Sequence, residues 1–412
     1  MRLMVYSHDT FGLGNIRRML AICAHLCDSI PELSVLIVSG SPMLHSFRVL
    51  QGIDYIKLPC LKRTESGDLG VRFLDLEVDE IVRLRRELIL STVISYQPDV
   101  VLVDKKPQGL AGEMEPSLRY IKCNLPQTKI MLVLRDILDA PANTISAWTS
   151  RGCYNIVRWY YDDVLVLGAR EIFDVCAEYR FPEVLCNKVT FCGYVRREAP
   201  HRSSQEVRSE LGVARSEKLL LVTTGGGEDG FHILSASVDA LKKLSLRRRI
   251  NTVIVGGPEL SQQSVRQIRI ASESCPGVRV VDFLDDMISY MNAADAVVSM
   301  AGYNTVCELL TLGKKSVLVP RVTPVAEQKI RAERLSHVPF LRTILPNELS
   351  AMRLAQAIEE QLQAAEPGEC PASLVDMGAL QRITAMLARN DWGTDTAGFE
   401  LPAATRPEVV SQ

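Results

Sequence analysis

The sequence has little that would tie it to nucleic acid, a structural metal or a lipid-spanning anchor. Its 412 residues carry 47 Lys and Arg against 49 Asp and Glu, a formal net charge of −2. There is thus no basic excess to draw a polyanion. No apolar run approaches the roughly 18 residues that a membrane span needs. The N-terminus has no basic stretch followed by a long apolar one, so no signal peptide is expected. The 11 cysteines are scattered without a Cys-x-x-Cys pair or a Cys/His cluster at zinc spacing, a usage that suits a reducing cytoplasm. What the chain does have is apolar bulk, 47% of its residues, and a length that favours two domains over one.

Short β-branched runs alternate with amphipathic stretches throughout. Strands are expected at 2–6, 34–39, 99–103, 129–134 and 163–167, and again at 218–223, 252–256, 278–283, 295–299 and 316–320. Helical spacing is clearest at 231–243, 262–274, 286–293, 304–312 and 327–335. Continuous apolar strands alternating with helices imply parallel sheets covered on both faces. Two such series predict an α/β protein of two doubly wound, Rossmann-like domains. Residues 1–198 would form the first and 206–374 the second, with the polar stretch RREAPHRSSQ (196–205) as linker. Helical spacing returns over 375–390, and the aperiodic segment 391–412 reads as a disordered tail.

Each series opens on a glycine loop. In SHDTFGLGNIRR (7–18), Gly12 and Gly14 fit the start of a dinucleotide fingerprint, but Arg17 stands where the third glycine belongs. The second strand ends in Ser39-Gly40-Ser41, with no carboxylate for a ribose, and no Gly-Lys-Ser/Thr ends the loop. Both absences argue against a dehydrogenase and a P-loop. The loop still brings N–H groups and a helix start to the carboxyl edge of a sheet, where open α/β sheets hold ligands. His8 and Asp9 stand just beyond the strand. Arg135, Asp136 and Asp139 come after another strand, and Asp104 and Lys105 after a third. Each is a candidate for proton transfer, or equally for a cap or surface pair.

The second half is more specific. TTGGGEDGF (223–231) places Gly225, Gly226 and Gly227 between a strand and a helix, where the backbone can approach a ligand closely. In DAVVSMAGYNTVCELL (295–310), a strand turns through Gly302 into a helix starting near Asn304 and Thr305. Its free N–H groups favour an anion. Glu308, one turn on, is suited to accept two hydrogen bonds from ribose hydroxyls, or is a solvated helix residue.

The stretch DFLDDM…AADAVVSMAGYNTVCELLTLGKKSVLVP (282–320) resembles the C-terminal domain of the MurG-like glycosyltransferase family 28. The resemblance is close over 218–335 and looser in the N-terminal half. It implies a GT-B fold, two Rossmann-like domains facing across a cleft. It implies an inverting hexosyltransferase that moves a sugar from a nucleotide-diphosphate sugar, a UDP-sugar, to an acceptor hydroxyl. Gly225, Gly226 and Gly227 would form the donor turn. The Leu284 backbone would read the nucleobase. Gly302, Tyr303, Asn304 and Thr305 would hold the diphosphate, and Glu308 the ribose. Glu327 and Gln328 would grip the sugar, although the family has a glutamine pair there. Gly12, Gly14 and Arg17 would belong to the acceptor loop. Relatives often carry histidine directly after the Gly-x-Gly, where this chain has Asn15; an amide takes no proton at neutral pH. His8, Asp9, Asn15 and Asp136 are therefore the catalytic candidates. No cofactor or metal is expected, and the chain has no Asp-x-Asp triplet. In GT-B proteins a late helix crosses back onto the first domain, and 375–390 is assigned that part. The basic run LKKLSLRRR (241–249) is read as a solvated face or as a peripheral membrane contact, which a lipid-linked acceptor would favour. A nucleotide-sugar hydrolase or epimerase, and a non-catalytic nucleotide-sugar-binding protein, remain as alternatives.

Overall fold

The computed structural model describes residues 1–8, 14–44, 50–64, 68–227, 229–245, 250–365 and 373–388. Asp9, Gly12, Arg247, Arg248, Arg249 and the tail 391–412 lie outside them.

The apolar runs of the first half become β1 (Arg2–Ser7), β2 (Ser34–Ser39), β3 (Ile53–Lys57), a hairpin of β4 (Leu61–Arg63) and β5 (Leu69–Val71), β6 (Val100–Asp104), β7 (Lys129–Arg135), β8 (Asp163–Leu167) and β9 (Val189–Phe191). Seven of them form a parallel sheet in the order β3-β2-β1-β6-β7-β8-β9. The second half supplies β10 (Leu219–Thr223), β11 (Asn251–Val255), β12 (Val278–Val281), β13 (Ala296–Ser299), β14 (Ser316–Leu318) and β15 (Leu341–Thr343). These form a six-stranded sheet in the order β12-β11-β10-β13-β14-β15. All ten expected strands are present within a residue or two, as are the five expected helices. The short outer strands β3, β9 and β15 and the β4–β5 hairpin add to that expectation, because edge strands carry no continuous apolar run. β3 (IDYIK) is only partly buried.

The central strands β1, β6 and β7 of the first sheet are nearly wholly buried, as are β10 and β13 of the second. This burial comes from helices covering both faces. Each sheet reverses its strand order once, between β1 and β6 in the first lobe and between β10 and β13 in the second. In doubly wound sheets the crevice at such a reversal, beyond the carboxyl ends of the strands, is where ligands lie. Both lobes turn that edge to the same cleft.

The chain then returns. Tyr194 N–H donates to the Asp376 carbonyl at 2.7 Å, and Arg382 donates to the Cys192 carbonyl at 2.6 Å. Ile383 and Leu387 of the Ala379–Leu387 helix join the core that contains the Gly14–Ser29 helix of the first lobe.

Candidate active site

In the second lobe the crevice is built mainly from backbone. Directly after β10, Gly225 and Gly227 hold φ of 72° and 100°, a region that side chains rarely enter. The turn packs against the loop after β11: a Cβ at Gly257 (φ 90°) would stand 2.5 Å from the Gly225 carbonyl oxygen. Glu259 N–H donates to the Gly226 carbonyl at 2.9 Å, and Thr224 Oγ1 to the Gly256 carbonyl at 2.7 Å. Gly256 and Gly257 are a further part of the site that sequence reasoning missed, although they too are paired glycines ending an apolar run. Leu284 comes after β12 at the same edge, half-buried; Gly257 N–H is joined to the Asp282 carbonyl at 2.9 Å.

On the other side of the reversal, the Tyr303–Leu312 helix starts at Gly302 with no side-chain cap. Val306 N–H closes the first helical bond, to the Gly302 carbonyl at 2.9 Å. The N–H groups of Tyr303, Asn304 and Thr305 therefore precede the ladder, as anion-binding helix starts require. A Cβ at Gly225 would lie 3.8 Å from Thr305 Oγ1, so the glycine turn and the helix start are neighbours. Glu308 is 3% exposed on this helix.

The first lobe closes over this edge with charged side chains. Arg17, expected on the acceptor loop, donates to Glu308 Oε1 at 2.9 Å. Asn304 Nδ2 donates to the Gly14 carbonyl at 2.8 Å, and its Oδ1 accepts from Arg197. Arg135 pairs with Glu327, and Ala326 N–H donates to Asp139 Oδ1 at 2.9 Å. Burial opposes charge on Glu327, but Arg135, Arg331, Lys105 and Arg321 outweigh it and hold its carboxyl down at about 2. Gln328 accepts from Arg321 N–H at 3.1 Å.

Asp136 is a sequence candidate for taking a proton, but its surroundings give it another part. Both its oxygens accept from Arg331 of the second lobe, at 2.7 Å each, and Tyr194 donates to Oδ2 at 3.0 Å. Arg331 is 0% exposed and also donates to the Ala301 carbonyl at 2.9 Å. A carboxylate clamped in two charge-assisted bonds is an anchor between lobes, not a poised base. Tyr303 is buried beside it, stacked on Tyr194 with ring centroids 5.9 Å apart, and with the Arg18 and Arg331 guanidinium groups 5.7 and 5.6 Å from its own centroid. With its ring so buried, only its backbone N–H is left for a ligand at the helix start. No sequence signal announces this lock, which joins residues 195 positions apart.

At the reversal of the first sheet, His8 stands just after β1 and is 4% exposed. Its Nδ1 lies 3.2 Å from the Asp104 carbonyl, an acceptor only, so Nδ1 carries the proton. Nε2 is then the acceptor for Asn15 Nδ2 at 3.4 Å. Burial, with Lys105, Lys106 and Arg18 nearby, pushes the imidazole well below its ordinary range. Asn15 Oδ1 accepts from Arg18, which is paired with Asp104 at 2.5 Å. An amide suits this place because it must donate to His8 and accept from Arg18 at once.

Residues 219–372 match the glycosyltransferase family 28 C-terminal domain. A UDP-N-acetylglucosamine–N-acetylmuramyl-(pentapeptide) pyrophosphoryl-undecaprenol N-acetylglucosamine transferase of Bacillus licheniformis is 30% identical over 189 residues, 45% of this chain and 50% of that protein. The chain thus spans about half the length of the curated relatives it matches. Among solved structures, Acinetobacter baumannii MurG superposes with a TM-score of 0.55 at 15% identity, over 93% of this chain and 98% of that one. The UDP-GlcNAc 2-epimerase of Methanocaldococcus jannaschii does so with a TM-score of 0.61 at 11% identity, over 94% and 99%. The chain has the GT-B fold, and residues 219–372 of its second lobe match the glycosyltransferase family 28 C-terminal domain.

Proposed function

We propose that the chain is a glycosyltransferase that takes its sugar from a UDP-sugar bound in the second-lobe crevice and hands it to an acceptor hydroxyl presented by the first lobe. One observation carries this reading: a buried carboxylate, Glu308, on a helix whose uncapped start adjoins a glycine turn at the strand-order reversal. A diphosphate fits the N–H groups of Tyr303, Asn304 and Thr305 with the turn at Gly225, Gly226 and Gly227. The ribose hydroxyls fit Glu308, and the base the edge near Leu284. Glu327 and Gln328 face the sugar. As the bond to the β-phosphate oxygen breaks, negative charge grows on the leaving nucleotide, and fixed N–H dipoles stabilise it without reorganising. N–H dipoles in that place suit a metal-independent reaction, and the resemblance to family 28 implies inversion at the anomeric carbon. His8, Asn15 and Gly14 then belong to the acceptor crevice.

A lipid-linked acceptor fits this reading, since the Bacillus licheniformis relative is named for one. So does a peripheral membrane contact. Phe73, Leu74 and Leu76 of the first lobe are 70%, 50% and 44% exposed in one short run. Among the described residues no helix is long and apolar enough to cross a membrane. A donor hydrolase or epimerase is the second reading, favoured by the epimerase of the same fold. Product analysis with and without acceptors separates the two.

The test is calorimetric titration with UDP. Glu308→Ala should weaken binding by roughly 1–3 kcal/mol, the scale of hydrogen bonds to a charged group. The variant should also lose the preference for UDP over 2′-deoxy-UDP. Unchanged affinity would contradict the ribose assignment.

A further inference from the structure

Transfer to a hydroxyl needs a group to receive its proton, and the acidic and basic side chains at the first-lobe crevice differ sharply in their availability. Asp136 is clamped by Arg331, and Asp104 is buried against Arg18. Asp139 Oδ1 accepts from Ala140 N–H at 2.7 Å and from Ala326 N–H across the cleft. His8 is turned inward between Asp104 and Asn15, and protonating it would add charge beside Lys105, Lys106 and Arg18.

Among the described residues Lys105 is the exception. It is the first residue after β6, on the rim of the crevice, and its N–H is pinned to the Val133 carbonyl at 2.8 Å. Its backbone sits at φ 62°, left-handed, a conformation that a non-glycine residue keeps only where its surroundings enforce it. The side chain is half-buried, and its ammonium makes no hydrogen bond or close ion pair with the described residues. The titratable and charged groups it faces are Arg135 from β7, Glu327 from the second lobe, Asp104 at the end of β6, Lys106 from its own loop, and His8 after β1. It thus stands between the acceptor crevice and the carboxylate assigned to the donor sugar.

We propose that Lys105 is the general base of the transfer, its amine removing the proton of the acceptor hydroxyl. The acceptor oxygen forms its bond to the anomeric carbon while the bond from that carbon to the β-phosphate oxygen breaks. The electron pair of that bond leaves with the nucleoside diphosphate. The proton stays on Lys105 as an ammonium and passes to solvent once the product leaves. The assignment rests on the transfer reading above.

Lys105 is suited to this because burial, then Arg135, lower its proton affinity to about 7, with Lys106 adding to the effect and Glu327 and Asp104 opposing it. A base is most effective when its proton affinity lies near the working pH. The same shift makes stability depend on pH. The folded value is below the ordinary value of about 10.4, so from about 7 upward the unfolded chain binds a proton that the folded one does not. Folding stability conferred through this group therefore rises with pH across that window and is flat below it.

Two measurements on the full chain test the assignment. The first is acylation by acetic anhydride as a function of pH, read per lysine by peptide mass spectrometry. Lys105 should label with a midpoint near 7, well below the ordinary lysine value of about 10.4. The second is UDP release from UDP-N-acetylglucosamine with water as acceptor. Lys105→Arg keeps the charge but holds its proton, and Lys105→Met removes both. Each should lower kcat by about 100-fold or more, with KM for the donor nearly unchanged and the rising limb of the pH profile near 7 abolished. The melting temperature of the parent should climb relative to that of Lys105→Met from pH 7 towards 10. A Lys105→Arg enzyme that keeps its rate and its limb overturns the proposal, and so does an ordinary labelling midpoint. If the parent binds no UDP, the donor reading fails instead, and labelling still decides Lys105.

Discussion

At the crevice of the second lobe the chain presents mainly backbone, and at that of the first it presents charged side chains. Both lie at the same topological place, the one reversal of strand order in each sheet. The second-lobe crevice is made of glycine turns at 225–227 and 256–257 and the uncapped helix start at Gly302. The first-lobe crevice is made of His8, Asn15, Arg18, Asp104 and Lys105. Fixed dipoles suit a ligand part that is the same in every turnover, such as a diphosphate. Titratable side chains suit the half where a proton must move. One fold repeated within a chain can thus be specialised by the residues just beyond its strand ends, with the sheets themselves left alike.

The largest effect should come from breaking the bond that holds the two halves face to face. Asp136→Asn preserves shape but leaves the Arg331 guanidinium, 0% exposed, without its counter-ion. Removing one partner of a buried pair costs about 3–5 kcal/mol, and chemical denaturation should register a loss of that size. A loss below about 1 kcal/mol would mean that water reaches Arg331 in solution, and that the lobes stand apart more than they close.

A smaller effect should separate the backbone-built crevice from its neighbour. Gly257→Ala forces a methyl group to within 2.5 Å of the Gly225 carbonyl oxygen at φ 90°. The strain should cost about 1–3 kcal/mol and displace the donor turn, lowering both the melting temperature and the affinity for UDP. Gly302→Ala is the control for stability alone, because no protein atom lies within 4 Å of the added carbon. If the two variants melt alike, the packing of one glycine turn on the other does not shape the site.

How much of this is legible in the sequence differs between the crevices for the same reason. Runs such as KLLLVT and DAVVS announce buried parallel strands, and glycines after them announce close backbone approach. Both signals are local, so the second lobe can be read almost residue by residue. The first-lobe crevice depends on partners far apart in the chain. Asp136 looks available in sequence because Arg331 and Tyr194, which bind it, carry no pattern that points back to residue 136. Arg17 looks like an acceptor residue because nothing near it in sequence indicates Glu308. Asn15 looks like a departure from a familiar histidine, and only the placement of His8 on one side and Arg18 on the other explains an amide there.

The smallest effect concerns the ion pair of Arg17 with Glu308, which joins the two lobes at the candidate donor site. The Arg17 side chain is 38% exposed and the Glu308 side chain 4% in their contact at 2.9 Å. A pair with one solvated partner contributes about 0–1 kcal/mol to stability, so Arg17→Ala should melt almost as the parent does. Binding should move the other way. On the proposed ribose assignment Arg17 competes for Oε1 of the same carboxylate, so removing the arginine should tighten UDP binding by up to about five-fold, within the roughly 1 kcal/mol that such a pair is worth. The gap between variant and parent should close as salt rises, because screening already weakens the exposed partner. If Arg17→Ala instead binds UDP more weakly, the guanidinium holds the nucleotide itself, and the first lobe contributes a cation to the donor site rather than a competitor for it.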